Sequence, residues 1–285
     1  MTKYGFFEIL TYSSIHEPLW GILNVFTWGL VTGLTFQPII YFFTFSVLFL
    51  IYAYNRIADI KEDKISASER LTFIKKIKSI NVYAAIVLFI ISCALIFLTG
   101  NLTALSLYLL TGFIGINYSK KILFIPKIKN ILLIKNISIG VMFALSVIAV
   151  PFLLVGADMT GVFYLLLAYL FLRVFINTIY FDIRDIAGDK TAGVLTIPIK
   201  IGEQKTIKIL NIINALTLLI ILPILNASPN PHYILFVLPA ILGAIYLNLP
   251  KNTFKKMTQY ELIADGTDSY LYILIFAIIW LVALF

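Results

Sequence analysis

The chain has 285 residues, 61% of them hydrophobic and 13% charged, with a net charge of +8. Soluble domains carry about 45–50% apolar and about 25% charged residues, so the composition excludes a water-soluble globule, a disordered chain and a secreted disulfide scaffold. The single cysteine, Cys93, excludes an intrachain disulfide and a zinc site of several cysteines, and in so apolar a chain the surplus of Lys and Arg reports membrane orientation before it reports nucleic acid.

No cleavable signal is read at the N-terminus, where Lys3 has no compact apolar core and small-residue cleavage site after it. A hydrocarbon core of about 30 Å takes about 20 apolar residues as helix. Nine apolar segments meet this need, at about 18–34, 38–54, 80–99, 102–117, 131–154, 160–181, 207–225, 232–249 and 269–285. Backbone groups in lipid must be satisfied internally, which makes these runs helices. The expected fold is therefore all-α: a single polytopic membrane domain over 1–285, about nine transmembrane helices around a central cavity, with short cytoplasmic cap helices.

The connecting loops divide by charge. Residues 55–79 hold seven Lys or Arg, 118–136 five, 182–208 five and 250–268 three, whereas the loops near 35–37, 100, 155–159 and 226–231 hold none. The basic loops share one face with the N-terminus. The positive-inside rule makes that face cytoplasmic and puts the C-terminus on the opposite side.

In the first span, Gly29 and Gly33 form a GxxxG pattern, read as close helix packing. At the inner end of the second lies Asn55-Arg-Ile-Ala-Asp59-Ile-Lys-Glu-Asp63. Steps of four place Asn55, Asp59 and Asp63 along one helical stripe. Next comes Ser66-x-x-Glu69, a capping-box pattern, followed by Leu71, Ile74 and Ile77 at helical spacing; residues 64–79 are read as a short amphipathic lid helix. Asn101-Leu-Thr103 fits a glycosylation sequon, a cheap match. After the fourth span come Asn117, Tyr118, Ser119, Lys120 and Lys121, then Lys127, Lys129 and Lys135. Tyr118, Lys120 and Lys121 are candidate contacts for phosphate oxygens, while Lys129 and Lys135 read as plain inside-facing charge.

The sixth span contains Arg173, a charge inside a membrane segment, with Asn177 one turn on; the pair is expected to bind an acceptor or brace the cavity. At its inner end stands Asp182-Ile-Arg-Asp185-Ile-Ala-Gly-Asp189, whose spacing of three and four again makes one stripe. His16 and His232 fall on opposite sides and cannot share a metal.

Stacked like charges destabilise a helix unless a multivalent cation answers them. Oxygen-only donors favour Mg²⁺, Ca²⁺ or Mn²⁺, and Mg²⁺ binds through one or two carboxylates plus substrate phosphates. The metal-ligand set read from the two stripes is Asn55, Asp59, Asp63, Asp182, Asp185 and Asp189, with room for two Mg²⁺ bridging a diphosphate. Asp59 to Asp185 and Asp63 to Asp189 are both 126 positions, which suggests related halves, about 18–117 and 131–249, plus a ninth helix at 269–285.

At these residues the chain resembles the UbiA superfamily of intramembrane prenyltransferases. That pattern is an NxxxDxxxD-type motif after the second helix, here Asn55–Asp59–Asp63, and a DxxxD-type motif after the sixth, here Asp185–Asp189. The continuation Gly188–Pro198, Tyr118-Ser119-Lys120-Lys121 and the nine spans are similar too. The chain departs from the pattern where many members have Asp after the motif Asn (here Arg56), an Arg before the first helix (absent from Thr11–Trp20), or Lys four after the loop Tyr (here Ile122).

The resemblance implies transfer of an isoprenyl chain from its diphosphate to an aromatic acceptor in lipid-quinone-type biosynthesis, through an allylic cation, with Asp59, Asp63, Asp185 and Asp189 catalytic. Tyr52, Tyr118 and Tyr180 are the expected cavity aromatics. The other acceptors within the family are a glyceryl phosphate lipid or a porphyrin. Phosphatidyl transfer is disfavoured by the missing DxxDGxxAR pattern. An ion or lipid transporter would need midplane charges beyond Arg173. The expected partners are a prenyl diphosphate, a small hydrophobic or aromatic acceptor and membrane lipid, without nucleic acid.

Overall fold

Helix after helix crosses the molecule from end to end, joined by short turns at one end and longer basic segments at the other. The structure, a computed structural model, describes residues 5–58, 68–122, 124–227, 236–249, 253, 259 and 263–264. In chain order the helices are α1 (Phe6–Tyr12), α2 (His16–Thr32), α3 (Pro38–Ala58), α4 (Ser68–Leu98) and α5 (Leu102–Ser119). Then follow α6 (Ile134–Leu154), α7 (Gly161–Arg184), α8 (Ile186–Ala192), α9 (Ile197–Ile201), α10 (Glu203–Ala227) and α11 (Val237–Leu247). Among the described residues there is no strand beyond an isolated bridge between Ile122 and Ile125.

Six of these helices are long and apolar enough to cross a bilayer, and the chain is an integral membrane protein. Two expected spans correspond to shorter helices, α2 with 17 residues and α11 with 11. The span expected at 269–285 lies outside the described residues. The outer face of α4 carries Ile80, Tyr83, Val87, Ile90 and Phe97 exposed, as lipid-facing surfaces do. The interior is sealed by aromatic contacts: Trp28 stacks on Phe236 with centroids 4.7 Å apart, and Trp20 meets Phe143 edge-on at 4.8 Å.

Three local expectations change. The lid expected over 64–79 is not a separate helix from Ser68 onward. It forms the first turns of α4, which runs unbroken for 31 residues because no Gly or Pro interrupts Ser68–Leu98; Ser66 lies outside the described residues. The Gly29/Gly33 pair does not pack two helices. Gly33 closes α2 in the left-handed region at φ +74, and a Cβ on Gly29 would sit 2.9 Å from Leu34 O in the chain's own return turn. Asn101 is the N-cap of α5: its Oδ1 accepts from Ala104 N–H at 3.0 Å and its Nδ2 donates to Leu153 O at 2.9 Å.

Polar links tie the helices at mid-height. The Ser46 hydroxyl lies 2.6 Å from both Ser92 Oγ and Tyr108 Oη, joining α3, α4 and α5. α6 contains a π turn at Leu145–Ala149, where Pro151 has no N–H to continue the ladder. Within it, Ser146 O accepts from Thr44 Oγ1 at 3.1 Å.

Candidate active site

Among the described residues singled out in the sequence, Asn55, Tyr118, Lys120, Lys121, Asp182, Asp185 and Asp189 sit at one end of the bundle, the end where α3, α5 and α7 finish and α4, α6 and α10 begin. Cross-links define that end. Arg56 of α3 pairs with Glu17 in the first turn of α2 at 3.2 Å. Asn81 of α4 donates to Ser13 O at 2.8 Å. Lys135 in the first turn of α6 pairs with Asp182 near the end of α7 at 2.7 Å. Two of the three places where the sequence departs from the family pattern thus meet: Arg56 finds its partner in Glu17, within the Thr11–Trp20 stretch that lacks an arginine.

Asn55 is half-buried in the last turn of α3, and its Oδ1 is buried with no hydrogen-bond partner. Asp59 and Asp63 lie outside the described residues. One turn further into the bundle, Tyr52 faces Phe143, centroids 6.3 Å apart. With Trp20 against the same ring, three aromatics lie immediately inward of Asn55.

The second acidic segment is not one continuous stripe. α7 ends at Arg184, Asp185 takes φ −93 and ψ 8, and α8 restarts at Ile186. Asp185 N–H still donates to Phe181 O at 3.0 Å, and Asp189 N–H to Asp185 O at 2.9 Å, so the joint turns the chain while keeping its amides bonded. Arg184 grips Asp185 with both arms, Nε to Oδ1 at 2.8 Å and Nη2 to Oδ2 at 2.6 Å, and its guanidinium lies 4.9 Å over the Phe181 ring. Asp189 is half-buried on α8.

Asp182 differs from both. It is buried, with Lys135 Nζ on Oδ1 and Asn136 Nδ2 donating to Oδ2 at 3.0 Å. Lys135 and Lys129, read from sequence as plain inside-facing charge, are both buried; the corrected reading of Lys135 is an internal counter-ion. Lys120 and Lys121 are exposed where the chain leaves α5, with Tyr118 half-buried beside them.

Arg173 and Asn177 lie deeper, between α7, α10 and α11. Arg173 is fully buried and donates through Nη1 to Asn214 Oδ1, whose amide donates to Ala240 O at 2.7 Å. Asn177 Oδ1 accepts from Tyr246 Oη at 2.7 Å, and its Nδ2 donates to Ala264 O at 3.1 Å. Tyr180 packs on Tyr246 with centroids 5.0 Å apart. All three brace helices; bracing is one of the two roles expected for Arg173 and Asn177.

Sequence reasoning passed over Glu17, Asn136 and Arg184. It also passed over a recurring feature of this end: Asn55 Oδ1, Asn117 Oδ1, Ser119 Oγ, Asn136 Oδ1 and Thr196 Oγ1 are all buried without a partner. Buried polar atoms are ordinarily paired, and here five unpaired oxygens come from four stretches of the chain. Among the described residues no three His, Cys, Asp or Glu side chains gather into a metal-binding cluster. The donors that are present, amide, hydroxyl and carboxylate oxygens, suit a hard divalent cation.

Solved structures of similar fold include a UbiA homolog from Archaeoglobus fulgidus bound to GPP and Mg²⁺, with 16% identity, 93% of this chain and 97% of that chain covered, and a TM-score of 0.65. The apo UbiA homolog from Aeropyrum pernix K1 aligns with 17% identity over 91% of this chain and 97% of its own, TM-score 0.68. A digeranylgeranylglyceryl phosphate synthase structure aligns with 21% identity over 91% and 93%, TM-score 0.61. No curated protein sequence matches the chain. The profile of the UbiA prenyltransferase family matches residues 17–259, and the chain belongs to that family of prenyltransferases.

Proposed function

We propose that the protein transfers an isoprenyl chain from a prenyl diphosphate to the ring carbon of a small aromatic acceptor, of the lipid-quinone type, at the basic end of the bundle, with Mg²⁺ held by Asn55, Asp59, Asp63, Asp185 and Asp189. The observation that carries this reading is the set of unpaired buried oxygens, Asn55 Oδ1 foremost, at the end where the acidic residues lie. By the positive-inside rule this end is cytoplasmic. Related halves, about 18–117 and 131–249, would bring one acidic row from each to the same mouth.

Mg²⁺ supplies neutralisation of the diphosphate charge as it departs. The chain's own residues do the rest. Exposed Lys120 and Lys121, with Tyr118, take phosphate oxygens left free. Tyr52, one turn inward of Asn55, with Phe143 and Trp20 packed in series beside it, offers a ring face to the allylic cation formed when the C–O bond breaks. Apolar walls keep water from capturing that cation before the acceptor carbon does. The acceptor ring then loses its proton to a neighbouring base, restoring aromaticity.

A glyceryl phosphate lipid is the second acceptor reading. It is favoured by the two exposed lysines at the mouth, which suit an anionic acceptor. The test is purified protein in lipid nanodiscs with radiolabelled prenyl diphosphate and a panel of aromatic, glyceryl phosphate and porphyrin acceptors. Labelled aromatic product that vanishes with chelator, and with Asp185→Asn or Asp189→Asn, is expected. Undiminished turnover in excess chelator, or in either folded variant, removes the metal site; product with glyceryl phosphate alone selects the second reading.

A further inference from the structure

Asp182 heads the second acidic segment, but it is buried where Asp185 and Asp189 are partly exposed. Both its carboxylate oxygens are taken from the neighbouring helix, Oδ1 by Lys135 at 2.7 Å and Oδ2 by the Asn136 amide at 3.0 Å. Asn136 Nδ2 also lies 3.3 Å from Thr178 Oγ1, one turn before Asp182 on α7. The ion pair is sealed: the side chains of Lys135 and Asp182 are 7% and 10% exposed. By contrast Asp185 is 32% exposed and, among the described residues, pairs with Arg184, its neighbour in the chain.

A cation that bound Asp182 directly would have to displace a buried ammonium and strand it without a partner, which is strongly unfavourable. The pair also sits two residues before the end of α7, where the chain turns at Asp185. Whatever fixes Asp182 fixes the last helical turn from which Asp185 and Asp189 project.

We propose that Asp182 is a positioning residue: Lys135 and Asn136 of α6 lock it outside the metal-ligand set, and through that lock they aim Asp185 and Asp189. The proposal rests on the metal site of the proposed function and narrows it to Asp185 and Asp189 in this segment. Groups that orient metal ligands from behind commonly alter metal affinity by about 10–100-fold when changed.

The test is a cycle of four purified proteins: wild type, Lys135→Gln, Asp182→Asn, and the double variant, with Asp185→Asn as reference. Each is measured for thermal unfolding and, well below its melting temperature, for Mn²⁺ affinity by electron paramagnetic resonance with a prenyl thiodiphosphate present. Each single variant should melt lower and bind Mn²⁺ about tenfold more weakly. The double variant, with an amide pair replacing the ion pair, should recover both. Asp182 is itself a ligand, and the proposal fails, if the double variant melts like wild type but binds Mn²⁺ as weakly as Asp185→Asn. Single variants that melt lower with Mn²⁺ affinity unchanged reduce the pair to a structural one and also overturn it. A wild-type protein that binds no Mn²⁺ refutes the metal site itself, and melting losses that simply add in the double variant refute the pairing independently.

Discussion

Arg184 occupies the Asp185 carboxylate, one of the ligands of the proposed metal site. Its two contacts to Asp185, at 2.8 and 2.6 Å, are charge-assisted and two-armed, with side chains 14% and 32% exposed. Exposed ion pairs contribute about 0.2–1 kcal/mol, and two-armed arginine pairs lie at the upper end of such ranges. Taking about 1 kcal/mol, and about 1.4 kcal/mol per tenfold in affinity, Arg184 handicaps metal binding at Asp185 by about fivefold. Arg184→Gln should therefore lower the half-saturating Mg²⁺ concentration about fivefold. The assay is a Mg²⁺ titration of prenyl transfer, paired with Mn²⁺ binding by electron paramagnetic resonance so that affinity is read apart from turnover. A half-saturation that stays put or rises in both measurements refutes the competition and removes Asp185 as the shared partner.

Other substitutions test the frame. Gly243→Ala would place a Cβ 2.7 Å from Asn214 Oδ1 and 3.1 Å from Arg173 Nη1. It should cost about 1–3 kcal/mol, seen as a lower melting temperature, because the buried amide and guanidinium must move together. Asn101→Ala removes both the cap on Ala104 N–H and the donor to Leu153 O, with an expected loss of about 1–2 kcal/mol in denaturant unfolding. Thr44→Val keeps the side chain's shape but strips Ser146 O of its donor in the π turn. A cost of about 0.6–1.7 kcal/mol is expected there, the range for hydrogen bonds between membrane helices, with the Mg²⁺ requirement unchanged.

The spans were legible because apolar runs are long and their loops alternate in charge. α3 at Pro38–Ala58 and α7 at Gly161–Arg184 extend the expected 38–54 and 160–181 by about a turn at their inner ends. The polar details were not legible, for a consistent reason. Periodicity reports which residues share a face of one helix and is silent about partners on another. Lys135 and Asp182 are 47 positions apart, so Lys135 read as one more inside-facing charge. Arg56 looked like a lost family aspartate until Glu17 was found opposite. The single stripe through Asp182, Asp185 and Asp189 failed because the chain leaves the helix at Asp185, with no proline there to announce it. The same blindness hid the π turn of α6, although Pro151 was visible in the sequence.

α3 is pinned twice at its waist, by Thr44 to the π turn and by Ser46 to Ser92 and Tyr108. Asn55 stands three turns further along the same rod, about 16 Å at 1.5 Å per residue. A rod held by hydroxyls to three neighbours has no freedom to piston, so Asn55 keeps a constant depth. The depth of the mouth on this side is thus set from the middle of the bundle, by hydroxyls rather than by the residues that line it.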